Sequence, residues 1–336
     1  MAVSISRGIK TPLLLQLLAD GELHSGEWLA SELRQTRTAV GKDVQRLRAL
    51  GIGVQAVAHQ GYRLANLVEL LDARRIGAEL AEQRKASLRR LEVLFEVDST
   101  NTRLLAAPPP PPGSAEICMS ELQHAGRGRL GRRWVAPFGS GVSMSVSWTF
   151  KDLARALPSL GLCVGVAVSR ALVRAGAEGI ALKWPNDIWF RDRKVGGILI
   201  ELRAEAGGPA AHVVIGVGIN VSLPEAARRE IEASGAQVAA VADACKQPPS
   251  RNRVAGAILD ELLSMLVQFE RLGFAAFRDA WMALDAMDGR EAQVVVGETA
   301  RRGIARGVDL EGALLLETGE GMQRFVSGEA SLRLTR

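Results

Sequence analysis

The sequence predicts an α+β chain in three parts: an N-terminal winged helix-turn-helix over 1–66, a central mixed-sheet α+β domain over 67–285, and a small C-terminal β-barrel over 286–336. Three observations carry this division. Short amphipathic segments open the chain, apolar strand-like segments interrupted by a few helices fill its middle, and short strands with glycine turns close it. With 336 residues, 47% of them hydrophobic, the chain can form two or three domains with buried cores.

In the first part, LLLQLL gives one helix, SGEWLASEL a second and TRTAVGKDVQRLRALG a third, whose Val40, Val44 and Leu47 share a face. Thr36 is a suitable N-cap. With the apolar face inward, Thr38, Lys42, Gln45 and Arg46 point outward. Together with Thr36 and Arg37 they are the residues expected to meet phosphates and base edges in a major groove. IGVQAV and GYRL, separated by AHQ, are expected to form a wing. Two features depart from a standard helix-turn-helix. Arg34 or Gln35 stands where many such turns carry glycine, and Gly41 lies inside the recognition helix at a cost of about 1 kcal/mol relative to alanine.

Residues 66–98 are expected to form a helical connection leading into the strand LEVLFEV. The proline run at 108–112 predicts an extended surface segment. Strands are expected in EICMSEL, GVSMSVSWTF, IALKW, DIWF, GGILIEL and VVIGVGINV, with LPSLGLCVGVAVSRALVRAG as a long helix packed on their sheet. A helical stretch from RVAGAILDELL to DAWMAL joins the middle to the final strands AQVVV, TARRGIARGVD, GALLLE, MQRFV and SLRL.

Composition narrows the function classes. A net charge of +5 favours anionic partners without choosing among them. Cys118, Cys163 and Cys245 are scattered without a CxxC, which fits a reducing compartment better than a disulfide framework. His24, His59, His124 and His212 are equally dispersed, and no zinc-ligand spacing is legible. The early apolar run lacks a cleavage site and no run reaches the length of a membrane span, so the expected location is cytoplasmic.

Three constellations carry chemistry. AGRGRLGRRW, at 125–134, matches the glycine spacing of a dinucleotide fingerprint, but that motif requires a helix immediately afterwards. Here RRWVAPFGSGVSMSVSW continues with proline, glycines and strand-like alternation, so a mobile loop is expected instead. Its Arg127, Arg129, Arg132 and Arg133 can pair with carboxylates or phosphates. In LKWPNDIWFRDRKVGG, Lys183 ends a strand, Pro185 and Asn186 turn, and a hairpin returns through Lys194, Gly196 and Gly197. A lysine so placed can neutralise an anionic oxygen during phosphoryl or adenylyl transfer. In DSTN, Ser99, Thr100 and Asn101 gather groups able to read a polar head group.

The order DSTN, Q-x-A-G-R-G-R-x-G-R-x-W, KWPND, DRK-x-x-GIL-x-E and IGVGIN resembles the biotin–protein ligases, and the winged helix makes the chain similar to their bifunctional repressor members. The resemblance spans essentially the whole chain. It implies a catalytic domain of the biotin/lipoate ligase type, an SH3-like barrel, and a two-step reaction with ATP, biotin and Mg2+. Biotinyl-5′-adenylate would form first and then biotinylate a lysine of the biotin carboxyl carrier protein of acetyl-CoA carboxylase.

By position, the resemblance puts Ser99, Thr100, Asn101 and Gln123 around the ureido ring, and Arg127, Gly128 and Arg129 over the carboxylate and phosphates. Lys183 would lie at the reacting atoms, and Trp134, Asn220 and Arg333 at the nucleotide. Lys183, Arg127 and Arg129 would be the catalytic residues, and no metal ligand is implied. The resemblance further implies a homodimer when adenylate is bound, repressing at biotin operator DNA. The strand DIWF and the loops around Arg127 and Gly196 would form a surface shared with the carrier protein. Leu130 stands where a basic residue also occurs. The competing readings are a lipoate–protein ligase and a ligand-sensing DNA-binding regulator without ligase activity.

Overall fold

A computed structural model describes residues 11–151, 157–203, 211–233, 235–326 and 330–334, without the side chains of 330, 331, 333 and 334. Helices α1 (Thr11–Leu18), α2 (Gly26–Glu32) and α3 (Arg37–Ala49) bury Leu14, Leu18, Leu29, Val40, Val44 and Leu47 in one cluster. Ser25 and Thr36 cap α2 and α3, each accepting from a backbone N–H of the first turn. Arg34, in the turn between them, takes the left-handed conformation (φ 49°) that glycine would adopt at less cost. Strands β1 (Val54–Val57) and β2 (Gly61–Leu64) pair antiparallel as the wing.

The connection is less helical than its sequence predicts, containing only α4 (Ala73–Ala78) and α5 (Glu82–Lys85). Tertiary hydrogen bonds hold the preceding backbone out of a helix. The Leu71 N–H donates to Glu121 at 2.6 Å, the Asp72 N–H to Asn252 at 2.7 Å, and Asn252 Nδ2 to the Leu70 carbonyl at 2.8 Å.

Then come β3 (Leu88–Val97), α6 (Thr100–Leu105), β4 (Ala115–Gln123), β5 (Gly141–Phe150), α7 (Leu157–Arg174), β6 (Ile180–Lys183), β7 (Asp187–Phe190), β8 (Arg193–Arg203) and β9 (Ala211–Asn220). They build a seven-stranded sheet in the order β3-β4-β5-β9-β8-β7-β6, parallel only between β3 and β4. No regular element occupies the proline run, of which Pro110 is buried.

Helix α8 (Glu225–Ala233), which the sequence did not announce, precedes α9 (Arg251–Leu272) and α10 (Ala275–Met282). Apolar residues alternate with serines along β5. Val142, Met144, Val146, Trp148 and Phe150 enter the core with α7 and α9, leaving Ser143, Ser145 and Ser147 on the opposite face toward α6. By composition α7 is long and apolar enough to cross a membrane, but 67% of it is buried in this core.

The chain closes with β10 (Glu291–Val296), β11 (Thr299–Val308), β12 (Leu314–Thr318), β13 (Gly321–Phe325) and β14 (Ala330–Leu334), an antiparallel sheet in the order β13-β12-β11-β10-β14. It is joined to the central sheet at Trp184, whose indole N–H donates to the Gly312 carbonyl at 3.2 Å, and at Leu182, which bridges Asp285.

One Asp285 oxygen accepts from the Met287 N–H at 2.9 Å, and the other is buried with no partner among the described residues. Burial pushes this carboxyl up to about 6, against the Met287 hydrogen bond, with the Asp288 charge adding to the rise. A folded pKa above the unfolded one means stability present below about pH 4 and lost as pH rises through about 6. Asp285→Asn should therefore hold its melting temperature better than the parent as pH rises from 4 to 7. Parallel melting curves against pH in the two proteins would contradict the assignment.

Candidate active site

The serine face of β5 and the first turn of α6 form one wall of an open cavity of about 220 Å³. Gln123 Oε1 accepts from the Thr100 N–H at 2.9 Å and lies 3.2 Å from its hydroxyl. The Ser145 hydroxyl sits 2.7 Å from Thr100 Oγ1 and 2.5 Å from Asn101 Oδ1. Ser99, Thr100 and Asn101 are each 3% exposed, so they are held in place rather than solvated. The close approach requires glycine on β9, since a Cβ at Gly216 would lie 2.5 Å from Asn101 Oδ1.

The arginine-rich stretch is a hairpin over this cavity and is not followed by a helix. The Gly128 N–H donates to the Arg132 carbonyl at 2.7 Å, and the Trp134 N–H to the Gly126 carbonyl at 2.9 Å. Arg127 reaches Glu201 at 2.6 Å. Arg129 donates to Asn186 Oδ1 at 3.3 Å; burial draws its pKa down, with Asp187 opposing and Arg132 assisting. Leu130, at the tip, is left-handed (φ 55°) and 59% exposed. Trp134 lies against Gly218, where a Cβ would come 2.4 Å from the indole. Its indole N–H is buried without a partner among the described residues, leaving a donor for a bound molecule.

The third wall is the β6–β7 hairpin. Lys183 ends β6 in register with Asp187, its Nζ 4.5 Å from the centroid of the Trp189 ring. Asp187 pairs with Lys194 at 2.6 Å. Asn186 is fixed to β8, donating from Nδ2 to the Ile198 carbonyl at 2.7 Å, which turns its Oδ1 toward Arg129.

The cavity thus gathers Ser99, Thr100, Asn101, Gln123, Arg127, Gly128, Arg129, Trp134 and Lys183. Asn220 lies apart, buried at the end of β9 with its Nδ2 donating to the Ala239 carbonyl at 3.2 Å. Arg333 stands on β14 opposite Gln293, and its side chain lies outside the described residues. Sequence reasoning missed Ser145 and gave no site role to Asn186 and Glu201, although both stand in the quoted motifs KWPND and DRK-x-x-GIL-x-E. The apolar–serine alternation of β5 and a glutamate within the apolar run GGILIEL were the available signals.

On the winged helix, Thr38, Lys42 and Gln45 are exposed, Thr36 caps α3, and Arg37 pairs with Glu27 at 3.1 Å. Arg46 is turned away from the expected DNA face, pairing at 2.6 Å with Glu96 of β3, which also meets His124 at 3.2 Å. Phe95 of β3, Leu122 of β4 and Phe138 pack against the winged-helix core. DIWF, expected to contribute to a surface shared by the homodimer and the carrier protein, is an interior strand, since β7 has β6 and β8 on its two sides. Among the described residues no three His, Cys, Asp or Glu side chains come together as a metal cluster.

A polar recess beside a strand-end lysine, under an arginine hairpin and behind a winged helix, defines an acid-activating protein ligase carrying a DNA-binding domain. Family models match in the same order: an HTH domain at 11–63, the biotin/lipoate A/B protein ligase family at 94–220, and the biotin protein ligase C-terminal domain at 289–333. The chain is 38% identical over 320 residues to the bifunctional ligase/repressor BirA of Salmonella typhimurium, covering 95% of this chain and 96% of that one. It is 33% identical to the biotin–[acetyl-CoA-carboxylase] ligase of Paracoccus denitrificans over 70% of this chain and 98% of that one. The Aquifex aeolicus biotin protein ligase solved with biotin and ATP superimposes with a TM-score of 0.61 at 29% identity, over 73% of this chain and 99% of that one. The chain belongs to the bifunctional ligase/repressor family of biotin–protein ligases.

Proposed function

We propose that the chain activates biotin with ATP and transfers it to a lysine of the biotin carboxyl carrier protein of acetyl-CoA carboxylase, and that it represses biotin synthesis genes when biotin is plentiful. The observation that carries this reading is one cavity holding a hydrogen-bonding recess at Thr100, Asn101 and Gln123 together with cationic groups at Lys183 and Arg129. A cyclic urea offers one acceptor and two donors, which the recess complements. A dithiolane offers none, and would leave the Gln123 Nε2 donor unanswered, which favours biotin over lipoate.

The reaction brings two anions together. As a biotin carboxylate oxygen bonds to the α-phosphorus, the bond from that phosphorus to the bridging oxygen breaks and pyrophosphate leaves. A carrier lysine amine then attacks the acyl carbon and AMP departs. Lys183 faces the carboxylate and α-phosphate, where negative charge concentrates. Arg127, Gly128 and Arg129 cover the adenylate and exclude water. Trp134 packs at the adenine. Magnesium, which supplies charge neutralisation when bound, needs only one or two carboxylates beside substrate phosphates, and Asp187 is the cavity-lining carboxylate able to contribute.

Repression uses the outward residues of α3, paired as two winged helices across an inverted repeat by an adenylate-bound homodimer. The reaction takes place in the cytoplasm, where a carrier protein and operator DNA are both at hand. The test is incubation with ATP, magnesium and either acid, followed by pyrophosphate detection and transfer to a carrier peptide. Turnover with lipoate but not biotin overturns the substrate, and no transfer at all favours a ligand-sensing regulator. A gel shift with biotin-gene upstream DNA, with and without biotin and ATP, tests repression.

A further inference from the structure

We propose that Glu201 is a positioning residue that ties the head-group recess to the arginine hairpin, an inference that rests on reading this cavity as the biotinyl-adenylate site. Its Oε2 accepts from Asn101 Nδ2 at 2.8 Å and from Arg127 at 2.6 Å. One carboxylate oxygen therefore ends a continuous chain through Gln123, Thr100, Ser145 and Asn101 and also holds the loop.

An ionised carboxylate only accepts hydrogen bonds, and this fixes the polarity of Asn101 and Ser145 behind it. Asn101 must turn its amide nitrogen to Glu201, so its Oδ1 faces Ser145 as an acceptor. The single Ser145 proton is then committed to Asn101, and toward Thr100 Ser145 can only accept. The Thr100 N–H donates to Gln123 Oε1, which leaves the Gln123 Nε2 as a donor for a ligand. The orientation of Asn101 and Ser145 behind the recess is thus set by a residue on β8 paired in register with Val214 of β9. Because Arg127 shares that oxygen, a correctly oriented recess and a seated hairpin depend on the same group.

Glu201→Gln keeps the volume and an acceptor oxygen but removes the charge, so the hydrogen bonds from Asn101 and Arg127 lose their charge assistance. The expected result is a biotin KM raised about tenfold and adenylate dissociation about tenfold faster, the size of one lost charge-assisted hydrogen bond at a partly exposed site. The kcat for pyrophosphate release at saturating biotin should stay near the parent, a split that general misfolding would not produce. Arg127→Met, alone and combined with Glu201→Gln, completes the cycle. If Glu201 acts on the hairpin through Arg127, Glu201→Gln adds nothing to adenylate loss in the Arg127→Met background while still raising the biotin KM. Parental KM and retention in Glu201→Gln, or full additivity of adenylate loss, overturn the proposal. Should Glu201→Gln fail to fold, adenylate retention in the surface variant Arg127→Met decides: parental retention overturns the tie. Parental biotin binding in Asn101→Ala as well as in these variants would overturn the placement of biotin itself.

Discussion

Lys183→Ala slows biotinyl-adenylate formation by about 10²- to 10³-fold, the usual loss for one preorganised charge-stabilising group, while the affinity for biotin changes little. The geometry of the strand end gives the reason. Lys183 terminates β6, its backbone paired with Asp187, and the next residue, Trp184, is buried and anchored to Gly312 in the turn between β11 and β12. The ammonium rests against the face of Trp189 at 4.5 Å, so its position is set before substrate arrives. A charge held in place in this way acts most on what becomes more anionic along the reaction, the carboxylate and α-phosphate sharing a pentavalent centre. Single-turnover adenylate formation and equilibrium biotin binding, measured on the same variant, separate the two effects. Equal losses in both would reduce Lys183 to a binding group.

Much of this arrangement was legible in the residues because it is local. The glycine–arginine stretch could be separated from a dinucleotide loop by the proline, glycines and alternating residues on its C-terminal side, and the structure indeed continues as a hairpin into β5. Thr36 was readable as a cap and Val40, Val44 and Leu47 as a buried face, since capping and helical period act over a few residues.

The illegible parts depend on partners far along the chain. Helical period says that Arg46 leaves the core face of α3, but not that Glu96 stands opposite it fifty residues later. The backbone at 70–72 reads as helix until Asn252, about 180 residues away, claims its hydrogen bonds. The roles of Ser145, Asn186 and Glu201 escaped notice for the same reason. Each hydrogen-bonds a side chain far away in sequence, Ser145 to Asn101, Asn186 with Arg129 and Glu201 with Asn101.

Arg129→Gly should form the adenylate and then lose it, biotinylating bystander lysines without regard to the carrier protein. The hairpin is closed at its base by Gly126 and Trp134 and across its middle by Gly128 and Arg132, and the Arg129–Asn186 hydrogen bond at 3.3 Å fastens its tip to the β6–β7 hairpin. Asn186 cannot follow the loop if it moves, because its amide is held by the Ile198 carbonyl. Removing the guanidinium therefore detaches the tip, and glycine adds about 1 kcal/mol of backbone freedom favouring the open state. Adenylate dissociation should rise about tenfold or more, as expected for one charge-assisted contact plus that freedom. A mixed anhydride released into water reacts with any accessible amine, so labelling of an added bystander protein reads out escape directly. Arg129→Ala separates the two contributions by removing the contact without the glycine entropy, and it should leak less than Arg129→Gly. Strict retention of the adenylate in both variants would show that the hairpin closes without Arg129.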